Sequence, residues 1–333
     1  MSTTLRRDLF QRFDVVYEPG VTRMPLWERV APGAHNTTRP PHDPHCPFCP
    51  GNEVYASFTI AQKLNRKDGS WQQRVIPNRV PLFSVEGEND AHGDGVYDVT
   101  KGVGAHEILI ESRLHNQHPW DMSVVDLETN LHLCAERMRD LAKDIRFAYI
   151  SFSRHAGVFS GSGIAHPHTQ IFALPDVPLE VRRVANAQNE YATFRNRCLV
   201  CDMIHQEREH RKRVIAENEA FLAIAPYASR CPFEMHLYPK KHQADFADLE
   251  SGKFLSLASL LHECYGKLHR ALGNPPFHVN LFTQSRGDTP SCSHWHIEIL
   301  PWVAPIGSLT TATGIYMNPV TPEMVCGGEG SDR

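Results

Sequence analysis

The sequence predicts an α+β fold built by internal duplication, each copy carrying an antiparallel sheet packed with one long helix. Three observations predict it. First, a Cys-x-x-Cys pair followed by two distant histidines occurs twice: Cys46 and Cys49 precede His115 and His166, and Cys198 and Cys201 precede His242 and His294. The two histidines are 51 residues apart in one copy and 52 in the other, although the gap from the cysteine pair to the first histidine is 66 against 41. Second, a shift of 127 lays His115 over His242. It also lays Leu127, Leu131, Cys134, Met138, Leu141 and Ile145 over Phe254, Ala258, Leu261, Tyr265, Leu268 and Leu272. All of these positions are apolar and their steps of three and four mark one buried helical stripe, twice. Third, strand-like runs fall in groups around each helix instead of alternating with helices, which favours an antiparallel sheet over a doubly wound one.

The elements follow in order. Residues 31 to 53 are rich in Pro, His and Asn and read as a loop ending in the knuckle Cys46-Pro47-Phe48-Cys49. Strand-like runs follow at Ser57 to Leu64, Gln72 to Ile76 and Ala105 to Glu111. Ser123 is the expected N-cap of a helix over Val124 to Arg146. The chain then reads as strand from Phe147 to Ser153, breaks at Gly161-Ser162-Gly163, and resumes as strand from Ile164 to Leu174. Val181 to Arg197 reads as a linking helix. The second copy repeats the order in shorter form, with strands at Glu219 to Ala225 and Phe233 to Tyr238, a helix over Ala247 to Leu272, and strands at Phe277 to Thr283 and His294 to Leu300. The expected domains are 1–185 and 186–333, since 333 residues suffice for two cores.

Composition narrows the partners. A net charge of -4 gives no basic surface for nucleic acid. No run of 18 apolar residues predicts a membrane span, and residues 1–20 lack the apolar segment of a secretion signal. Nine cysteines, four of them in Cys-x-x-Cys pairs, read as metal ligands in a cytoplasmic protein more readily than as disulfides.

The chemistry centres on His166-Pro167-His168-Thr169-Gln170. Residues two apart on a strand share a face, so His166, His168 and Gln170 are expected to point together into a cleft or onto a metal. Cys46, Cys49, His115 and His166 make a closed four-ligand set of the kind structural zinc uses, and Cys198, Cys201, His242 and His294 make a second. Chance knuckles with surface histidines are the alternative, and His118 competes with His115. His168 then remains free beside Gln170. An imidazole can attack through one nitrogen while a hydrogen bond orients the other, and histidine forms covalent intermediates. A second metal ligand or a solvent-facing histidine is the plainer reading. Gly161, Ser162 and Gly163 can offer backbone N–H groups and a hydroxyl to an anion. Asn78 and Asn52 are candidates for nucleotide contact, with turn roles as the alternative.

At these residues the chain resembles the galactose-1-phosphate uridylyltransferase family of the histidine-triad superfamily. CPFCPGNE, VIPNRVPLF, GSGIAHPHTQIFALP, HWHIEILPW and GIYMNPVTPE carry the resemblance, and their wording is nearer to the ADP-glucose phosphorylase-like branch. The resemblance implies two histidine-triad-like domains in a homodimer with two zinc sites per chain. It implies transfer of a nucleoside monophosphate, UMP- or AMP-type, between a nucleotide sugar and a sugar 1-phosphate or phosphate through His168. Gln170 and Ser162 would contact the phosphates. An ADP-sugar phosphorylase, a nucleotide hydrolase and a zinc-stabilised nucleotide-binding protein are the alternatives. The second copy reads His294-Trp295-His296-Ile297-Glu298, with Glu298 in the place of Gln170, so a single catalytic half is expected. Ser308 to Gly314 departs from the family's sugar-binding wording, which leaves sugar and base open.

Overall fold

Strand alternation and helix stripes place the core where the two copies meet. The computed structural model describes residues 3–17, 39–157, 160–288, 292–303 and 306–327. In chain order its strands and α-helices are β1 (Thr4–Arg7), β2 (Asp14–Tyr17), β3 (Ala61–Leu64), β4 (Trp71–Pro77), β5 (His92–Asp94), β6 (Tyr97–Val99), β7 (Ala105–Ile110), α1 (Val124–Leu141), β8 (Tyr149–Ala156), β9 (His168–Leu174), α2 (Leu179–Arg195) and α3 (Leu199–His210). They continue with β10 (Val214–Glu217), β11 (Phe221–Ile224), β12 (Met235–Pro239), α4 (Phe254–Leu272), β13 (Phe277–Phe282), β14 (His296–Pro301), α5 (Ser308–Thr313), β15 (Ile315–Asn318) and α6 (Pro322–Val325). Of the loop expected over 31–53, residues 31–38 lie outside the described residues.

Where each copy was expected to have its own sheet, one ten-stranded sheet spans both, beside a small β1-β2-β15 sheet and a β5-β6 hairpin. Ten strands run in the order β10-β11-β12-β14-β13-β8-β9-β7-β4-β3. The copies join edge to edge through β8 and β13, which pair antiparallel with His155 opposite His278 and Ser153 opposite Asn280. Pairing the edges removes two sets of open N–H and C=O groups. Gly157, at φ +88°, turns the chain off β8 at this seam, where a Cβ would fall 2.8 Å from Pro276.

Helices α1 and α4 pack side by side on one face of the sheet. Leu131, Met138 and Phe152 of the first copy belong to the same buried cluster as Leu237, Leu261 and Ile299 of the second. Ser123 caps α1 by accepting the Asp126 N–H at 3.1 Å. The helix stops at Leu141, short of Arg146, and just past its end Arg286 donates to the Ala142 and Asp144 carbonyls. Residues 247 to 253 are not α-helical as expected; they form short 3₁₀ turns, the first capped by Asp245. Likewise the strand expected from Ile164 begins at His168, since Pro167 has no N–H for the ladder. None of the described helices is long and apolar enough to cross a membrane.

The face opposite α1 and α4 differs between the copies; on the second, Val184 and Ala187 of α2 and Val200 and Ile204 of α3 pack with Phe10 against Leu222, Ile224 and Tyr238. Over the second copy lies the N-terminal segment, anchored by β2 pairing parallel with β15. Phe10, 1% exposed, stacks on His296 at 5.1 Å, and Phe282 stacks at 5.0 Å. Arg12 bridges Asp8 at 2.9 Å and Glu298 at 2.8 Å, and Arg230 reaches Glu298 at 2.6 Å. Burial works against the charge of Glu298, but Arg12 and Arg230 hold its carboxyl well below the usual range. Replacing Phe10 by Ala leaves a cavity over His296, and denaturant titration should show a loss of about 3 to 5 kcal/mol.

Candidate active site

On the first copy the same face is not covered by that segment, and the predicted residues gather there. His168 opens β9 opposite Ile110, and Gln170 lies opposite Ile108 and Ser153. Thr169 points the other way and donates to Glu111 at 2.6 Å, as alternation requires. His166 sits just before the strand. Its carbonyl accepts from His168 Nδ1 at 2.8 Å. With Nδ1 protonated, the lone pair lies on Nε2, which makes no hydrogen bond among the described residues. Phe48 packs edge-on to the His168 ring at 5.5 Å. Burial lowers the His168 pKa, the bond to His166 works the other way, and the ring is neutral at pH 7.

Gln170 is fixed from both sides. His106 Nε2 donates to its Oε1 at 2.8 Å, and its Nε2 donates to His155 Nε2 at 3.0 Å. The His106 tautomer is set by the Leu82 N–H, which donates to Nδ1 at 3.2 Å, and its ring stacks on Phe172 at 4.5 Å. Asn78 Nδ2 lies 3.1 Å from the same ring, so Asn78 joins the site through His106. Neither His106 nor His155 is singled out in the sequence, because each stands in a strand without a neighbouring motif; only the alternation of β7 and β8 could have placed them. His106→Phe keeps the stacking but removes the donor to Gln170. Its turnover should fall roughly 10- to 100-fold while the protein remains folded at the assay temperature with a modestly lower melting point, as steady-state assays and a melt would show.

The other candidates fall into place unevenly. Asn52 spends its amide donors on Asp43 O at 3.0 Å and Cys46 O at 2.8 Å, bracing the knuckle. Ser162 donates to Ile164 O at 2.7 Å, which tightens the loop, and Gly161 supplies its positive φ of 83°. A Cβ on Gly163 would meet nothing within 4 Å, so the backbone there is open.

Both four-residue clusters form and could hold a metal ion. Cys46, Cys49, His115 and His166 are all buried, and their ligand atoms lie within 4.8 Å of one another, as do those of Cys198, Cys201, His242 and His294. His118 stays outside, stacked on Trp120 at 4.8 Å. Cys49 Sγ is 3.6 Å from Nδ1 of both His115 and His166. Cys201 Sγ is likewise 3.6 Å from His242 and His294. The outer nitrogens repeat too: His166 Nε2 donates to Ser112 O at 2.8 Å and His294 Nε2 to Pro239 O at 2.9 Å. Ser112 and Pro239 are 127 residues apart, the same shift that relates His115 and His242. A donor bond at Nε2 leaves Nδ1 as the metal-binding lone pair. Burial raises the Cys46 thiol to about 11, so a cation is needed to hold it as thiolate.

The copies part at the next residue. His296 is fully buried, its Nδ1 has no partner among the described residues, and its Nε2 faces Glu298 at 3.4 Å. His168 has an orienting carbonyl and a glutamine; His296 has a carboxylate and the Phe10 ring.

The galactose-1-phosphate uridyl transferase C-terminal domain model matches residues 184–298. ADP-glucose phosphorylase of Arabidopsis thaliana is 29% identical over 330 residues, spanning 97% of this chain and 91% of that protein. Galactose-1-phosphate uridylyltransferase of Thermotoga maritima is 27% identical over 310 residues, spanning 89% of this chain and 92% of the relative. The crystal structure of an ADP-glucose phosphorylase from Arabidopsis thaliana with bound ADP-glucose superposes with a TM-score of 0.82 at 27% identity, over 98% of this chain and 97% of that one. Fold, site and sequence together are similar to those of galactose-1-phosphate uridylyltransferases and of an ADP-glucose phosphorylase. The likeness, which extends over nearly the whole chain, is to the galactose-1-phosphate uridylyltransferase family.

Proposed function

We propose that the protein transfers a nucleoside monophosphate between a nucleotide sugar and a sugar 1-phosphate or phosphate, with His168 as the covalent carrier. The observation that carries this reading is the single lone pair on His168 Nε2, fixed by the His166 carbonyl beside a doubly anchored Gln170. In the first half-reaction Nε2 forms a bond to the α-phosphorus, the P–O bond to the sugar phosphate breaks, and the sugar 1-phosphate leaves with the electron pair. In the second, an oxygen of the acceptor phosphate attacks the same phosphorus and the electron pair of the P–N bond returns to Nε2. Gln170 offers its remaining amide N–H to the phosphoryl oxygens as charge builds on them. Asn78 is a nucleotide contact in this reading, and the backbone of Gly161, Ser162 and Gly163 faces the phosphates.

Zinc is the ion proposed for both clusters. Thiolate and imidazole ligands at zinc distances span a tetrahedral edge of roughly 3.6 Å, the separation found in both sets. Each set is closed by four protein ligands, so the ions pin loops to the sheet and leave the chemistry to His168. The likeness to an ADP-glucose phosphorylase over nearly its whole length favours an ADP-sugar with phosphate as acceptor. Uridylyl transfer is the second reading, on the Thermotoga maritima relative.

Incubation with UDP-, ADP- and GDP-sugars, followed by intact mass measurement, tests the reading. One nucleotide should add a single nucleoside monophosphate to the chain, and inorganic phosphate or glucose 1-phosphate should discharge it. Turnover that water alone completes would make the protein a hydrolase. Absence of any adduct and any turnover would leave a nucleotide-binding protein.

A further inference from the structure

A buried ion pair behind the strand of His168 takes no part in the transfer proposed above. Glu111, the residue after β7, lines one cavity between the sheet and helices α1 and α4 with Asn130, Arg154, Thr169 and Tyr265. Arg154 donates Nε to both Glu111 oxygens, at 2.8 and 3.1 Å. Its Nη1 is buried with no partner among the described residues, and so is Oδ1 of Asn130.

Such a set is costly in a core. A buried ion pair seldom stabilises more than apolar side chains of like volume would, and each open donor or acceptor adds to the cost. The second copy shows the apolar solution. A shift of 127 puts Leu281 in the place of Arg154, and Ile297 follows His296 as Thr169 follows His168. Leu281 and Ile297 are buried and pair across β13 and β14. The polar set therefore lies in the copy whose histidine is uncovered, directly behind that histidine.

What Glu111 grips is the backbone on either side of His168. Its N–H donates to the Pro167 carbonyl at 3.1 Å, and its carboxylate accepts from Thr169 Oγ1 at 2.6 Å. One residue thus holds both neighbours of His168, and Arg154 holds the carboxylate that does so. We propose that Glu111 is a positioning residue, which through Pro167 and Thr169 fixes the strand at His168 so that Nε2 and the Gln170 amide face the same phosphorus. This role rests on the reading of His168 as covalent carrier. Glu111 does not touch the reacting atoms, since Thr169 and His168 point to opposite faces of the sheet. Attack on phosphorus needs the lone pair in line with the bond that breaks, and a misplacement of about 1 Å costs roughly two orders of magnitude in rate.

Thr169→Val and Thr169→Ser test the clamp in the full chain, because Val keeps the shape of Thr and Ser keeps the hydroxyl. ADP-glucose or UDP-glucose serves as donor, with inorganic phosphate or glucose 1-phosphate as acceptor. Thr169→Val should lose roughly 10- to 100-fold in kcat with KM for the nucleotide sugar within about twofold, and Thr169→Ser should stay within about threefold of wild type. By NMR, the His168 Nδ1 proton, held by the His166 carbonyl at 2.8 Å, should exchange with water faster in Thr169→Val than in wild type. A purely structural bond would lower the melting temperature and leave kcat and that proton unchanged below it, which overturns the clamp. So does an equal fall in kcat for Thr169→Val and Thr169→Ser. Adduct formation by wild type with nucleotide sugar alone separates the two ideas. An adduct, with kcat of Thr169→Val equal to wild type, removes the clamp and leaves the transfer. No adduct and no turnover in wild type removes the transfer; the His168 proton then decides, faster exchange in Thr169→Val upholding the clamp and equal exchange overturning it.

Discussion

His168→Asn should lower nucleotidyl transfer by roughly four orders of magnitude or more while both metal sites stay filled, as radiolabelled transfer and metal analysis would show. The size follows from the role assigned to Nε2. An asparagine amide can replace Nδ1–H as the donor to the His166 carbonyl, now at 2.8 Å, so the turn before β9 keeps its bond. It has no nitrogen lone pair with which to attack phosphorus. Gln170 with its partners His106 and His155 stays in place, so binding of a nucleotide sugar should persist. A variant that bound substrate, kept its metal and still turned over would refute the covalent carrier. The matching change in the second copy, His296→Asn, should leave transfer intact, because Phe10 and Phe282 already enclose that ring.

That contrast was half legible in the sequence. Glu298 in place of Gln170 marks the second copy as different, and the HPHTQ run marks the first. The buried stripes of α1 and α4 were legible because helix packing leaves a periodic trace. The two Cys2His2 clusters that could hold a metal ion were legible because their residues are repeated at matched intervals. What covers His296 was not legible: Phe10 and Arg12 lie in a short segment with no period, and only tertiary packing brings them more than 280 residues along the chain to His296 and Glu298. The shared sheet escaped notice for a related reason. Edge pairing of β8 with β13 is made by backbone groups that every residue carries, so His155 opposite His278 leaves no signature. His106 shows the same limit at the site itself, since a histidine on a buried strand reads as an ordinary polar residue until its register beside Gln170 is known.

Removing one ligand from each cluster should separate their roles. Cys49→Ser and Cys201→Ser should each bring the zinc content from two per chain to one, by atomic emission on purified protein. Structural zinc contributes on the order of 10 kcal/mol to the fold it closes, so both variants should melt well below wild type. Their activities should diverge. In the first copy the cluster positions His166, and the His166 carbonyl is the group that orients His168; Phe48, between the two cysteines, also packs on the His168 ring. Loss of Cys49 therefore frees His168, the proposed nucleophile, as well as the loop, and transfer should fall to background even at temperatures where the sheet remains folded. In the second copy the cluster ties α3 to the loops before β14, and its cysteines and His242 are less buried than their counterparts. The joined sheet and shared core continue to hold the first copy, so Cys201→Ser should keep at least about a tenth of wild-type turnover at 25 °C while unfolding earlier on heating. Equal loss of activity in both variants below their melting points would mean that the second cluster also shapes the catalytic face, through the seam between β8 and β13.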